Sequence, residues 1–368
     1  MNKIVISAVN LIEGGPLTVL QNCLEILSKY SVSKNIEVIA IVHNKKLCFY
    51  PNITYIEIPW AKKSWFHRIY CEYFYFKKIS KQLKPYLWLS LHDISPNVES
   101  HLKAVYCHNP TPFYKAPLSN LRYNYKEVLF SIFYKYLYQI NIKKNTHIIV
   151  QQNWLRDEFA KIYSLNKKKI IVALPKYKKN EIINDNFIDN EFITFFYPAF
   201  PRTFKNFEVI CNACEILEKE NINGFKILLT LKGNENKYAK YIYKKYSHLN
   251  NIVFKGLLPL EKVHDVYQNT DCLIFPSKLE TWGLPISEFS PSNRPMLIAD
   301  LPYAYETSAG SSLVQFFNPD NAVELARMMK EVIENNLSNF TSIPVQNIEN
   351  PKTTSWEMLF NYILQKND

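Results

Sequence analysis

A chain of 368 residues, 47% hydrophobic and 21% charged, is long enough for two domains with full cores and has a soluble globular composition. No apolar run reaches ~18 residues, so no transmembrane helix is expected, and the opening MNKIVISAVN reads as a strand rather than a secretory leader. The net charge of +11 is uneven: residues 1–184 carry 27 Lys+Arg and 11 Asp+Glu, net +16, while residues 185–368 carry 17 and 22, net −5. The basic half is expected to face an anionic partner.

Seven cysteines without framework spacing point to the cytoplasm. Cys211 and Cys214 lie in a helical stretch and read as ordinary buried thiols. Glycine is scarce, with only seven residues, so those kept are expected where no side chain fits.

In chain order, Lys3–Val9 is an apolar strand, Glu13–Pro16 a turn with Gly14 and Gly15, and Leu17–Tyr30 a helix. Strand, Gly-Gly turn and helix form the first unit of a doubly wound α/β domain. The turn is not G-x-G-x-x-G; it reads as a phosphate or sugar loop, or as a plain tight turn. Glu37–His43 and Ile53–Pro59 are further strands.

Lys62–Leu83 and Arg122–Lys144 are helices dense in aromatics and Lys. Such helices lie on an anionic membrane, or else pack their rings inward with the lysines solvated. Between them, Trp88–Asp93 and Ala104–Pro110 are strands that each end in a His, at the end of a doubly wound sheet where ligands bind. His108 is the stronger candidate for holding a sugar hydroxyl or relaying a proton. His147–Gln151, the helix Asn153–Tyr163 and the strand Lys169–Pro175 complete this half, and the polar run Lys176–Asn190 reads as a linker.

The alternation then restarts with strand Phe192–Ala199, helix Lys205–Glu220, strand Phe225–Leu231, helix Lys237–His248, strand Asn251–Phe254 and helix Leu260–Gln268. Asp271–Asp300 follows as strand, loop, helix and strand, with Gly283-Leu284-Pro285 opening the helix. A turn and a helix start at a strand's C-terminal end favour an anion such as a phosphate. Glu280 and Glu288, eight apart around that turn, can accept hydrogen bonds from sugar hydroxyls, so the stretch suits a nucleotide-sugar. Ser311–Phe317, the helix Asn321–Asn335 and an amphipathic tail helix Thr353–Lys366 close the chain.

FPSKLETWGLPISE resembles the donor-site signature of the retaining GT-B glycosyltransferases of glycosyltransferase family 4. YCHNPTPFY resembles the family's sugar-cleft loop, and Pro201 to Asn206 its phosphate-clamp loop, with Lys205 at the family's Lys position. Two departures are visible: Thr281 stands where the family usually has Gly, and Phe200 where it has Arg, which leaves Arg202 as a substitute or as a solvated cation.

The resemblance implies an α/β GT-B fold: two doubly wound Rossmann-like domains facing a central cleft. The expected boundaries are 1–180 for an acceptor- and membrane-facing domain, 190–345 for a nucleotide-sugar domain, and 350–368 for a helix crossing back toward the first. It implies that Glu280 contacts the donor sugar and Glu288 the ribose, while N–H groups of Gly283 and Leu284 hold phosphate oxygens beside Thr281. Gly256 would let the backbone approach the base, Lys205 and Arg202 neutralise the diphosphate, and His108, Gly14 and Gly15 serve the acceptor side. The donor is UDP-, GDP- or dTDP-linked and is a substrate, so no cofactor is expected. No D-x-D occurs, and no metal is expected.

The implied reaction is retaining transfer of a hexose to a lipid-diphosphate-linked saccharide, as in O-antigen or other surface-polysaccharide synthesis, at the inner face of the cytoplasmic membrane. Two other readings stand beside it. One is a basic α/β protein that binds nucleic acid, for which no recognition motif is present; the other is a GT-B nucleotide-sugar epimerase.

Overall fold

The computed structural model describes residues 3–175 and 192–365, so the linker expected at Lys176–Asn190 lies outside the described residues. The chain forms two compact units. The first comprises residues 3–113, 133–175 and 348–365; the second comprises 114–132 and 192–347.

In chain order the first half contains β1 (Lys3–Ala8), α1 (Gly14–Ser33), β2 (Glu37–Val42), β3 (Thr54–Glu57), α2 (Trp65–Tyr70), α3 (Phe76–Leu83), β4 (Leu87–Ser90), β5 (Leu102–Cys107), α4 (Leu121–Gln139), β6 (His147–Val150), α5 (Asn153–Tyr163) and β7 (Ile170–Ala173). The second half contains β8 (Ile193–Tyr197), α6 (Phe207–Lys219), β9 (Phe225–Leu229), α7 (Lys237–Tyr246), β10 (Ile252–Phe254), α8 (Leu260–Gln268), β11 (Cys272–Phe275), α9 (Leu284–Phe289), β12 (Met296–Ala299), α10 (Pro302–Thr307), β13 (Val314–Phe317), α11 (Ala322–Ile333), β14 (Lys352–Thr353) and α12 (Trp356–Leu364).

The first unit's sheet is parallel, in the order β14-β7-β6-β5-β4-β1-β2-β3. Alternate residues of β1 divide between two cores. Ile4, Ile6 and Ala8 face α1 and α12, while Val5 faces Phe76, Ile79 and Trp88 on the other side. Strands covered on both faces need the near-continuous apolar runs seen in this sequence. The tail is part of this unit: β14 pairs with β7, and Phe360 of α12 lies against Tyr30 of α1.

The second sheet is also parallel, ordered β10-β9-β8-β11-β12-β13. In each sheet the strand order reverses once, between β1 and β4 and between β8 and β11. Open α/β sheets bind ligands outside the carboxyl ends of strands at such a reversal.

Four elements depart from the sequence reading. The helix expected over Lys62–Leu83 begins at Trp65, where Ser64 accepts from the His67 N–H, and contains a π-helical turn over Cys71–Tyr75. The helix expected to run to Lys144 stops at Gln139 and is broken at Asn124, which has φ −151° and ψ 86°. The helix expected from Lys205 starts at Phe207, because Asn206 is left-handed at φ 58°. Gly14 and Gly15 form the first turn of α1 rather than a loop before it.

Candidate active site

In the second unit the loops after β8 and β11 meet at the reversal of strand order. The loop after β8 closes with a single 3-10 turn, Thr203–Lys205. Left-handed Asn206 ends that turn and donates through Nδ2 to the carbonyls of Pro276 (3.2 Å) and Pro319 (2.7 Å). The Lys278 N–H donates to the Phe204 carbonyl at 2.7 Å, and the Tyr197 hydroxyl to the Lys205 carbonyl at 2.9 Å. These bonds fix the turn to the end of β11.

The result is an ion pair between the Lys205 ammonium and the Glu280 carboxylate, both largely but not fully buried. The ring of Phe275 lies 5.8 Å from the ammonium. Arg202 is exposed, its guanidinium 5.8 Å from the Phe200 ring and 6.0 Å from the Phe204 ring, while Thr203 donates its hydroxyl to Glu127.

After Glu280 the chain passes half-buried Thr281 and buried Trp282, whose indole N–H donates to Ser287 Oγ at 2.8 Å. Gly283 then caps α9 at φ +86°. That backbone conformation favours glycine, and a Cβ there would press within 3.3 Å of the Ile286 side chain. Leu284 is exposed. The Ile286 N–H is already bonded to the Gly283 carbonyl. The helix has only six residues, so most of the helix-terminus charge beside Lys205 comes from the thirteen-residue α6 instead.

Glu288 is held separately from Glu280: it accepts from the Tyr267 hydroxyl of α8 at 3.2 Å, and burial raises its carboxyl pKa. Gly256, at φ +76°, is covered by the stem of Lys232, whose carbons lie 3.0 Å from where a Cβ would be. The structure thus brings Lys205 and Glu280 together, with Gly283 near them in the β11 loop. Arg202 shares the Phe204 ring with Lys205, at 6.0 and 5.7 Å, while Glu288 and Gly256 have other neighbours.

In the first unit the C-terminal ends of β4 and β5 carry a polar cluster around Asp93. This buried carboxylate, on a left-handed residue (φ 69°), accepts from the N–H groups of His108 (2.8 Å) and Asn109 (3.1 Å) and from the hydroxyls of Tyr138 (2.8 Å) and Tyr134 (3.3 Å). His108 Nε2 lies 3.7 Å from Asp93, and its Nδ1 is buried without a hydrogen-bond partner. Gly14, at φ +62°, and Gly15 are exposed after β1.

Sequence reasoning missed Asp93 as the hub of this cluster. The His-Asp at the end of WLSLHD was its signal, but the reading rested on the histidines. It also missed Glu127 in the second unit, and it read Asn206 as the end of the clamp loop without its bonds to Pro276 and Pro319. Among the described residues no group of three or more His, Cys, Asp or Glu is placed to hold a metal ion.

The fold and the strand-reversal site define a GT-B glycosyltransferase architecture. Residues 178–349 match the family described as Glycosyl transferases group 1, a segment that includes Lys205, Glu280 and Glu288. The chain is similar to an O-antigen chain mannosyltransferase, RfbU, of Salmonella typhimurium, at 20% identity over 204 residues, a match spanning 55% of each chain. That is about half of the relative's length.

Its fold is similar to that of a lipopolysaccharide outer core galactosyltransferase, WaaB, in the apo form, with TM-score 0.62 and 13% identity over 92% of both chains. It is also similar to Anabaena Alr3699/HepE in complex with UDP-glucose, with TM-score 0.61 and 14% identity over 91% of this chain and 90% of that one.

Proposed function

We propose that the protein is a retaining, metal-independent glycosyltransferase. It moves a hexose from a UDP-, GDP- or dTDP-sugar to a lipid-diphosphate-linked saccharide during surface-polysaccharide synthesis. The observation that carries this reading is the Lys205–Glu280 pair at the strand reversal of the sheet in the matched segment. A cation there, joined by Arg202 and the start of α6, suits a diphosphate that gains charge as it leaves. Glu280 would turn from Lys205 to the donor sugar's hydroxyls as phosphate takes over the ammonium. Glu288 would hold the ribose, with N–H groups of Gly283 and Leu284 on phosphate oxygens and Gly256 beside the base. Thr281 would narrow the space beside the phosphates.

Retention follows if the departing phosphate takes the acceptor hydroxyl's proton on the same face of the sugar. His108, steadied by Asp93, would bind hydroxyls, and Gly14 and Gly15 would admit the acceptor. The relatives' names, concerned with O-antigen and lipopolysaccharide, support the choice of acceptor.

The lipid anchor of such an acceptor calls for a membrane surface. No helix among the described residues is long and apolar enough to cross a membrane. The segment 65–74 nevertheless turns Phe66 (85% exposed), Trp65, Ile69, Tyr70 and Phe74 to solvent beside exposed Lys62, Lys63, Lys77 and Lys78. On α4 a helical stripe of Tyr125, Leu129, Ile132, Phe133 and Tyr136 is exposed as well. Rings and lysines together suit the anionic inner face of the cytoplasmic membrane.

The test is a melting-shift screen over UDP-, GDP- and dTDP-sugars, followed by a transfer assay to a lipid-diphosphate saccharide with and without EDTA. One nucleotide class should stabilise the protein, and transfer should survive EDTA. No shift from any donor would sink the reading.

A further inference from the structure

The segment 114–132 is flanked on both sides in sequence by residues of the first unit, yet it packs in the second unit, against the turn that carries Lys205. Tyr114 sets its ring edge-on to Phe204 at 6.3 Å. Tyr123 lies 5.6 Å from Tyr238 and 5.1 Å from Tyr241, and Arg122 stacks over the Tyr123 and Tyr241 rings. Tyr238 in turn accepts from the Phe207 N–H at the start of α6 and donates to Glu208.

Glu127 makes a polar contact for the segment: its Oε1 accepts the Thr203 hydroxyl, two residues before Lys205. Glu127 stands three residues after Asn124, whose Oδ1 accepts the Glu127 N–H at 3.2 Å. The helix therefore restarts at this point, and Glu127 sits in its first turn. The break at Asn124 gives the segment a joint on one side of the contact.

Three carboxylates thus lie around the turn: Glu280 on Lys205, Glu208 on Tyr238 and Glu127 on Thr203. A diphosphate arriving at Lys205 would be opposed by the charge of Glu127, held two residues away on Thr203, and Glu127 alone among the three lies on the segment 114–132. Resting on the donor site proposed above, we infer that residues 114–132 are a strap latched by Glu127 onto Thr203. The strap lowers affinity for the nucleotide donor and is released when the diphosphate binds. Glu127 is therefore an affinity-setting residue outside the matched family segment.

The test uses UDP, GDP and dTDP as probes on the full chain, by calorimetry and amide hydrogen exchange. Glu127→Gln keeps the first-turn geometry but removes the charge. It should bind the preferred nucleotide roughly three- to tenfold more tightly, the scale of one removed charge at moderate distance. Peptides from 114–132 should exchange faster when nucleotide is added to the native protein, and already do so in free Glu127→Gln. Unchanged affinity and unchanged exchange in a protein that loses nucleotide binding on Lys205→Ala would overturn the latch and leave the donor site standing. If none of the three probes binds the native protein, the latch and the donor site fall together.

Discussion

Among the described residues, each unit holds a lysine or arginine paired with a carboxylate away from the surface, and the two pairs are built in opposite ways. In the first, Arg68 and Glu72 lie 2.8 Å apart on the inner face of a helical segment, with 5% and 0% of their side chains exposed. His92 Nδ1 lies 3.3 Å from the same carboxylate, and Arg68 Nε and Nη1 have no hydrogen-bond partner. In the second, Lys205 and Glu280 retain 18% and 13% exposure, and both stand on loops at the strand reversal. A sealed pair is out of reach of a ligand and weighs on stability. A pair open to solvent on one side can change partners, which a donor site requires.

The sealed pair gives the largest expected effect. Burial pushes the Glu72 carboxyl up to about 7, against the pull of Arg68, and pushes His92 well below its ordinary range, so His92 is neutral. A carboxyl raised in the folded state contributes stability that is full below the unfolded value near 4.5 and is lost as pH rises through about 7. Arg68→Met leaves the carboxylate alone in the core. It should cost about 3–5 kcal/mol at pH 8 and clearly less at pH 5, where Glu72 is protonated. Denaturant titrations at the two pH values check this; equal costs would mean that the pair acts through packing alone.

The open pair should behave in reverse. Lys205→Ala is expected to lower transfer about 10²- to 10³-fold, the scale of losing one donor to a developing anion. Its cost in stability should stay within about 1–2 kcal/mol, because the pair is not sealed. Glu280→Gln should do the same to transfer while leaving nucleotide affinity unchanged or tighter. Unfolding midpoints and single-turnover rates on the same samples separate the two pairs, and a Lys205→Ala protein with full activity would remove the distinction.

The contrast explains how much could be read beforehand. The strand–helix alternation and the loops carrying Lys205 and Glu280 were legible, because apolar runs and Pro/Gly punctuation are local. The Glu280–Glu288 spacing was legible too, but not that Tyr267 holds Glu288, since that contact crosses between elements.

The Arg68–Glu72 pair was illegible for a physical reason. A helix rich in rings and cations reads as rings on a membrane or rings packed inward, with its charges outward either way, and this one turns Arg68 and Glu72 inward over 65–74. The π-helical turn at Cys71–Tyr75 adds a residue that no periodicity count anticipates. Segment 114–132 was assigned by its neighbours in sequence to the first half, whereas rings at Tyr114 and Tyr123 place it in the second unit.

The same inward turn gives the smallest prediction. With Arg68 and Glu72 turned in, Phe66, Ile69, Tyr70 and Phe74 are left outside, bordered by Lys62 and Lys63. A lysine near an anionic bilayer contributes about 1 kcal/mol, and rings at the headgroup level add an apolar part that salt does not screen. Lys62→Ala with Lys63→Ala should therefore weaken binding to anionic vesicles by about 2 kcal/mol at low salt, and by less at high salt. Phe66→Ser should weaken it at both. Neither change touches Arg68 or Glu72, so the pH dependence of unfolding should match the native protein. Vesicle co-sedimentation over a salt series makes the measurement; equal binding to neutral and anionic vesicles would show that the lysines do not read lipid charge, and the outward rings would need another partner.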